Sequence, residues 1–282
     1  MVQAPSRRDR VRAATAAEIK QTARRIFVAD GPEACSLRAI AREMGMTAPA
    51  IYRYFGSRDD LIKHVVADIL TEIADGIHAA VEATDQASGG DMTAKMIAAC
   101  REFRRWSLDH KGEFGLLFGT PLPSLEAMHD DVIDDCAARF SGEFYALFLE
   151  LWRKHPTPVP ADDEIDPGLR AQLARYREAL GSDLPLGAFL TFLRCWVRLY
   201  GMVSLEVFGH MRFALDDAAP MFEITLAELA ALVGLDYPLS ASGNPAARIR
   251  PSRAGAHAHE ASRGPARGAG RSAPPGGASR HR

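Results

Sequence analysis

The chain has 282 residues, 47% of them apolar and 25% charged, with a formal net charge of −2. That is enough for one or two domains with real cores. The N-terminus, MVQAPSRRDRVR, is basic but lacks the apolar run of a secretory leader, and no stretch approaches the roughly eighteen uninterrupted apolar residues of a membrane span, so a cytoplasmic protein with no membrane partner is expected.

The small net charge hides a split. Residues 1–60 hold 11 basic against 7 acidic side chains, residues 61–237 hold 15 against 28, and residues 238–282 hold 8 against 1. Cationic ends on an anionic middle suit a chain that meets a polyanion locally. The four cysteines (Cys35, Cys100, Cys136, Cys195) are scattered, without the spacing of metal ligands, and buried reduced thiols are the default.

In chain order, residues 1–10 are expected to form a disordered basic arm. Arg7, Arg8, Arg10 and Arg12 are suited to phosphate or minor-groove contact. A compact head follows over 11–60. Ile19, Ala23, Ile26 and Phe27 make one apolar stripe, closed by Gly31-Pro32. Leu37, Ile40, Ala41 and Met44 fall at i, i+3, i+4 and i+7, with Ser36 as N-cap and Gly45 to turn the chain. Thr47 restarts a helix with Pro49 in its first turn. Ile51 and Phe55 face inward, which leaves Ala48, Ala50, Tyr52, Arg53 and Tyr54 toward solvent. Ser57 to Asp60 open the next helix with a capping-box-like pair and acids at its positive end. Helix, tight turn, short helix with outward aromatics: this is the grammar of a helix-turn-helix DNA reader.

The same residues resemble the TetR family of transcriptional regulators. The marks are ARRIFVADGPEACS (Ala23 to Ser36), IAREMGMT (Ile40 to Thr47) and IYRYFGSRDDL (Ile51 to Leu61). The resemblance implies that Thr47 and Tyr52 hold phosphates at the major-groove edge. It implies that Ala48 and Pro49 meet base edges or thymine methyls, and that Tyr54 makes a phosphate or base contact. Arg58 matches a backbone clamp, and Arg38 a position that reaches a base. Ser36 and Arg53 complete the candidate set. Ala48 departs from the polar residue often found at its position, so specificity leans on Arg38 and on DNA shape.

The body, 61–237, reads as helical throughout. Ile62, Val65, Val66, Ile69, Ile73 and Ile77 mark a long helix near 57–84, broken by Gly89-Gly90. Helices are expected over 91–110, in GEFGLLFG before Pro121-Leu122-Pro123, and over about 124–154, 169–180, 185–212 and 216–233. A proline- and acid-rich loop interrupts them at His155–Gly168. No alternating strand pattern appears, so the expected fold class is all-α, with about nine or ten helices. Aromatics gather here: Phe103, Trp106, Phe114, Phe118, Phe140, Phe144, Phe192, Trp196 and Tyr200 are either plain core or the lining of an apolar ligand cavity, with Arg105, Arg194, Tyr200 and Glu206 as candidate polar groups. CWVRLYGMVSLEVFG (Cys195 to Gly209) is similar to the C-terminal domain of the tryptophan-histidine-glycine subgroup of the family, with Tyr200 at the histidine position. Val197, Met202, Leu205, Phe208, Phe222, Leu226 and Leu229 are expected to pair with a second copy, giving a homodimer on a palindromic double-stranded operator.

Beyond 237, 30 of 45 residues are Ala, Gly, Pro or Ser, with eight arginines, and a disordered tail is expected. No nucleophile elbow, phosphate loop or HExxH is present, and His78, His110, His129, His155 and His210 lack a spaced partner, so neither enzyme activity nor a metal or cofactor is expected. The expected function is a regulator, most simply a repressor, released from DNA by an unidentified small apolar or amphipathic effector. The alternative is a DNA-bound adaptor that answers to a protein partner or to no ligand.

Overall fold

The computed structural model describes residues 6–31, 33–119 and 131–237. The Pro121-Leu122-Pro123 bracket, positions 124–130 of the expected long helix and the tail from 238 lie outside them. Among the described residues all regular structure is helical, in ten α-helices: α1 (Arg7–Asp30), α2 (Leu37–Glu43), α3 (Ala48–Ile51), α4 (Arg58–Ser88), α5 (Met92–Asp109), α6 (Lys111–Phe114), α7 (Asp131–Lys154), α8 (Pro167–Ala179), α9 (Leu186–Val207) and α10 (Ala219–Leu232). A wide π-type turn, Gly115–Gly119, continues α6, and a single 3-10 turn sits at Asp162–Glu164.

α1 starts before the expected boundary. The Asp9 N–H donates to Ser6 Oγ, and the Ser6 N–H donates to the Asp9 carboxylate, both at 3.2 Å. This reciprocal capping box satisfies helix-end donors, so Arg7, Arg8 and Arg10 stand on a helix and not on a disordered arm. The signal, Ser-x-x-Asp, was present in the sequence. Only residues 1–5 of the expected arm lie outside the described residues.

The head closes around one small core. Ile19, Ala23, Ile40, Ile51 and Leu61 have no measurable exposure, and Phe55 is 4% exposed. Apart from Ala23, each of these side chains contributes roughly 1.5–3 kcal/mol by its burial. α2 is capped by Ser36, whose hydroxyl accepts from the Ala39 N–H at 3.2 Å. Its exit needs Gly45, which sits at φ 64°, while Met46 N–H returns to the Ala41 carbonyl at 2.8 Å. α4 opens on Ser57, which accepts from Asp60 N–H at 3.0 Å. The Asp60 carboxylate reaches one residue further back than a regular capping box, to the Gly56 N–H at 2.8 Å.

α4 is the spine shared by head and body. Its buried face, from Leu61 to Ile77, packs along α5 and α7. α9 then packs against α5, α8 and α10. Lys95 of α5 is 8% exposed and bonds Asp85 of α4 at 3.1 Å and Glu150 of α7 at 3.0 Å, a staple through three helices.

α9 and α10 correct the expected dimer face. Met202, Phe222, Leu226 and Leu229 are 1–8% exposed and packed inside this chain. Both helices are apolar on more than one side, so residue type alone does not tell the inner from the outer stripe. The stripe left outside is Leu193, Val197, Leu205 and Phe208, 39–59% exposed, with the side-chain-free surface of Gly201 in its middle.

Candidate DNA interface and the body behind it

Arg38 on α2 and Tyr52 at the end of α3 are both turned toward solvent, as are Arg42, Glu43 and Arg53. Tyr52 is 55% exposed, although it sits one residue after the fully buried Ile51. An aromatic ring left more than half in solvent beside a core position gains little from folding and is available to a partner surface. Thr47 adopts the extended backbone of an N-cap (φ −83°, ψ 146°), yet its hydroxyl makes no capping bond. It is therefore not spent on the helix and is suited to a phosphate oxygen. Pro49 and Arg53 are exposed, Ala48 and Ala50 half-buried. Tyr54 differs from the sequence reading: it is half-buried against the head core.

Two candidate residues have internal work. Ser36 is the cap of α2. Arg58 donates from Nε to the Cys35 carbonyl at 2.7 Å, and a second guanidinium nitrogen lies 3.5 Å from Asp59. Arg58 thus ties the start of α4 to the loop before α2 and fixes the recognition elements relative to the spine. Arg12 joins the same surface from α1, reaching the Arg53 carbonyl at 3.5 Å.

A polar junction links this head to the body, and the sequence reading missed it. Arg24 of α1 donates to Glu72 of α4 at 2.6 Å and to Glu113 of α6 at 2.9 Å. Glu72 also accepts from the Trp106 indole N–H at 2.9 Å, and His110 stacks on Trp106 with ring centres 4.8 Å apart. Burial alone would raise the Glu72 carboxyl, but the bonds from Arg24 and Trp106 outweigh it and hold the group below its ordinary range. Beside this junction Gly112 lies so close to α1 that a Cβ there would stand 2.7 Å from Val28 Cγ1. Arg24's partners are 48 and 89 residues away, so no local pattern announces them.

The body aromatics divide into two groups. Phe103 contacts the rings of Phe114, Phe118, Phe140, Phe144 and Trp196 at centroid distances of 5.8–6.5 Å. Phe103, Phe114 and Phe140 are solid core with Phe118 half-buried against them, Trp106 belongs to the head junction, and Tyr200 stacks on Trp196 and donates to the Phe118 carbonyl at 3.2 Å. Phe144, Phe192 and Trp196 instead line two cavities, of about 60 and about 240 Å³. The candidate polar groups lie elsewhere. Arg105 pairs with Glu102 and Asp109, Arg194 is exposed, and Glu206 is paired with Arg104 at 2.5 Å, both largely buried, with Arg104 also 5.0 Å over the Phe222 ring. Cys100, Cys195, Leu226 and Leu229 line the smaller cavity and were not among the ligand candidates.

A short outward recognition helix on a three-helix head, carried by a separate helical body, defines a helix-turn-helix transcriptional regulator. Residues 19–65 match the model "Bacterial regulatory proteins, tetR family", and residues 96–229 match "Tetracyclin repressor-like, C-terminal domain". HTH-type transcriptional regulators of Mycobacterium tuberculosis and Mycobacterium bovis are each 30% identical over 193 residues, 68% of this chain and 80% of theirs. The solved structure of a regulatory protein, SCO4313, is 32% identical with a TM-score of 0.63, covering 80% of this chain and 100% of that one. A Rhodococcus sp. RHA1 protein of unknown function shares the fold at 18% identity and a TM-score of 0.54, over 79% and 95% of the two chains. The chain belongs to the TetR family of DNA-binding transcriptional regulators.

Proposed function

We propose that the protein is a homodimeric repressor of the bacterial cytosol that binds a palindromic operator and leaves it when a small effector enters the helical body. The observation that carries this reading is the junction at Arg24. One guanidinium on the head is shared between the spine (Glu72) and the helix that leads into the aromatic body (Glu113), so a displacement of α6 is felt by the recognition helix. The exposed stripe Leu193, Val197, Leu205 and Phe208 supports pairing of two copies through α9. Two heads held by one two-fold axis would read half-sites about one helical turn, or a small multiple, apart. Arg38 serves as the base reader, because its fork suits guanine, while Thr47 and Tyr52 hold phosphates. The effector acts only if it binds the released state better than the DNA-bound one.

The solid ring cluster around Phe103 favours a second reading, a DNA-bound adaptor whose body answers to a protein. Selection of bound sequences from random DNA at near-physiological salt tests the primary one. A palindrome with two fixed half-sites is expected. Recovery of no preferred sequence, with steep salt dependence, would overturn the specific-regulator reading and leave a charge-driven binder.

A further inference from the structure

The turn that joins α9 to α10 leaves a large apolar side chain in water. Phe213 is 91% exposed, more than any other large apolar residue described, and does not pack on the core. Elsewhere on the chain, the cleft of about 240 Å³ between α7, α8 and α9 presents Phe189, Leu193 and Trp196 among its walls. Leu193 belongs both to this cleft and to the exposed stripe of α9, so the cleft opens beside the stripe. The stripe has a symmetry of its own. Leu193 and Val197 stand eight and four positions before Gly201, and Leu205 and Gly209 stand four and eight after it. A Cβ at Gly201 would meet nothing within 4 Å. Such a row reads the same from both ends, so two antiparallel copies can cross at Gly201, where the missing side chain permits a close approach. In that register Val197 lies beside the partner's Leu205, and the segment from Phe189 to Leu193 lies level with the partner's Gly209 to Phe213. Charge agrees with it. Arg194 and Arg198 are exposed beside the stripe, and the segment after Phe213 brings the exposed acids Asp216 and Asp217. Arg194, Arg198 and Asp216 form no ion pair among the described residues, and Arg212 of the turn folds back over Gly209.

We propose that two copies of the chain pair in this register, and that Phe213 of each is the anchor that enters the α7–α8–α9 cleft of the other, with Asp216 beside the partner's Arg194. This rests on the homodimer reading and goes beyond it by assigning the anchor, the socket and the register. The contact surface then includes α7 and α8 and is not confined to the last two helices. A ring that leaves water for an apolar cleft is a strong contribution to association, and the two-fold axis makes the same contact twice. The flanking charges contribute less to affinity than to register, because a copy shifted along the stripe loses the pairing of Arg194 with Asp216.

The test measures the dimer dissociation constant of the full chain by sedimentation, with far-UV circular dichroism to check folding. Phe213→Ala is expected to keep the helical signal, since the side chain touches little in its own chain, and to raise the dissociation constant at least tenfold. Gly201→Leu, a better helix former at an open position, is expected to fold and to weaken the dimer by holding the two helices apart. Arg194→Glu is expected to weaken it several-fold, and Arg194→Glu/Asp216→Arg to recover most of that loss. Mixed Leu193→Cys and Phe213→Cys proteins are expected to give a disulfide-linked dimer on mild oxidation that neither variant nor the parent chain gives alone. A folded Phe213→Ala protein that dimerises as tightly as the parent would overturn the proposal. So would a Phe213→Cys protein that cross-links to itself and not to Leu193→Cys. The two readings fail separately. A parent chain that is monomeric removes the homodimer itself, whereas a dimeric parent unaffected by Phe213→Ala removes only the anchor and its socket.

Discussion

At the scale of single residues, the head separates side chains that hold the fold from side chains that are free to read. Ile51 and Tyr52 are neighbours in sequence, yet one is fully buried and the other mostly in solvent. Tyr52→Ala is therefore expected to leave the melting temperature nearly unchanged and to weaken binding to operator and random DNA alike, measured by fluorescence anisotropy. Arg38→Ala is expected to relax preference at one base pair, with a cost of about 1–3 kcal/mol on cognate DNA only. Equal losses on cognate and random DNA for both variants would remove Arg38 as a base reader. Arg58 behaves differently, because its Nε bond to the Cys35 carbonyl makes it part of the head's own frame. Arg58→Ala should lower thermal stability as well as DNA affinity, and a variant with intact stability would show that the tie is idle.

Between elements, the contact that matters is α1 against α6. Gly112→Ala is expected to push α6 away from Val28 and weaken DNA binding, while the double variant Gly112→Ala/Val28→Ala recovers most of it, because the contacts with Val28 Cγ1 and Cγ2 at 2.7 and 3.1 Å are gone and only that with Cβ at 3.2 Å stays. No recovery in the double variant would mean that the close approach is incidental. The junction also has a pH signature. The Glu72 carboxyl is lower in the folded chain than when unfolded, so its contribution is present above its unfolded value and is lost as pH falls through its folded one. Between those values, in the acid range, Glu72→Gln is expected to flatten the pH dependence of thermal stability relative to the parent chain. The helices themselves were legible from sequence, since the stripes through Ile19, Ile40 and Ile62 repeat at helical spacing and are buried. The junction was not, because Arg24 looks like any solvated helix charge until the tertiary fold brings Glu113 to it. Which face of α9 and α10 turns inward was also hidden, since both sides of those helices are apolar and only packing decides.

For the whole molecule, the proposed pairing of two copies rests on the exposed stripe on α9. Val197→Asp should cost the folded chain little, since Val197 is 59% exposed, but it would bury two like charges in a two-fold interface. A monomer by sedimentation, with DNA affinity strongly reduced, is the expected outcome; an unchanged dimer would move the interface elsewhere. The Arg24 junction has a further consequence for anyone building hybrid regulators. The obvious place to cut is the loop before α4, where the recognition elements end. A graft cut there would carry Arg24 away from both Glu72 and Glu113 and leave a cation facing foreign helices at a seam it was shaped to close. The transplantable unit is therefore not the first sixty residues alone but those residues together with the acids at 72 and 113 and a glycine at 112, a set scattered along the chain yet packed as one seam.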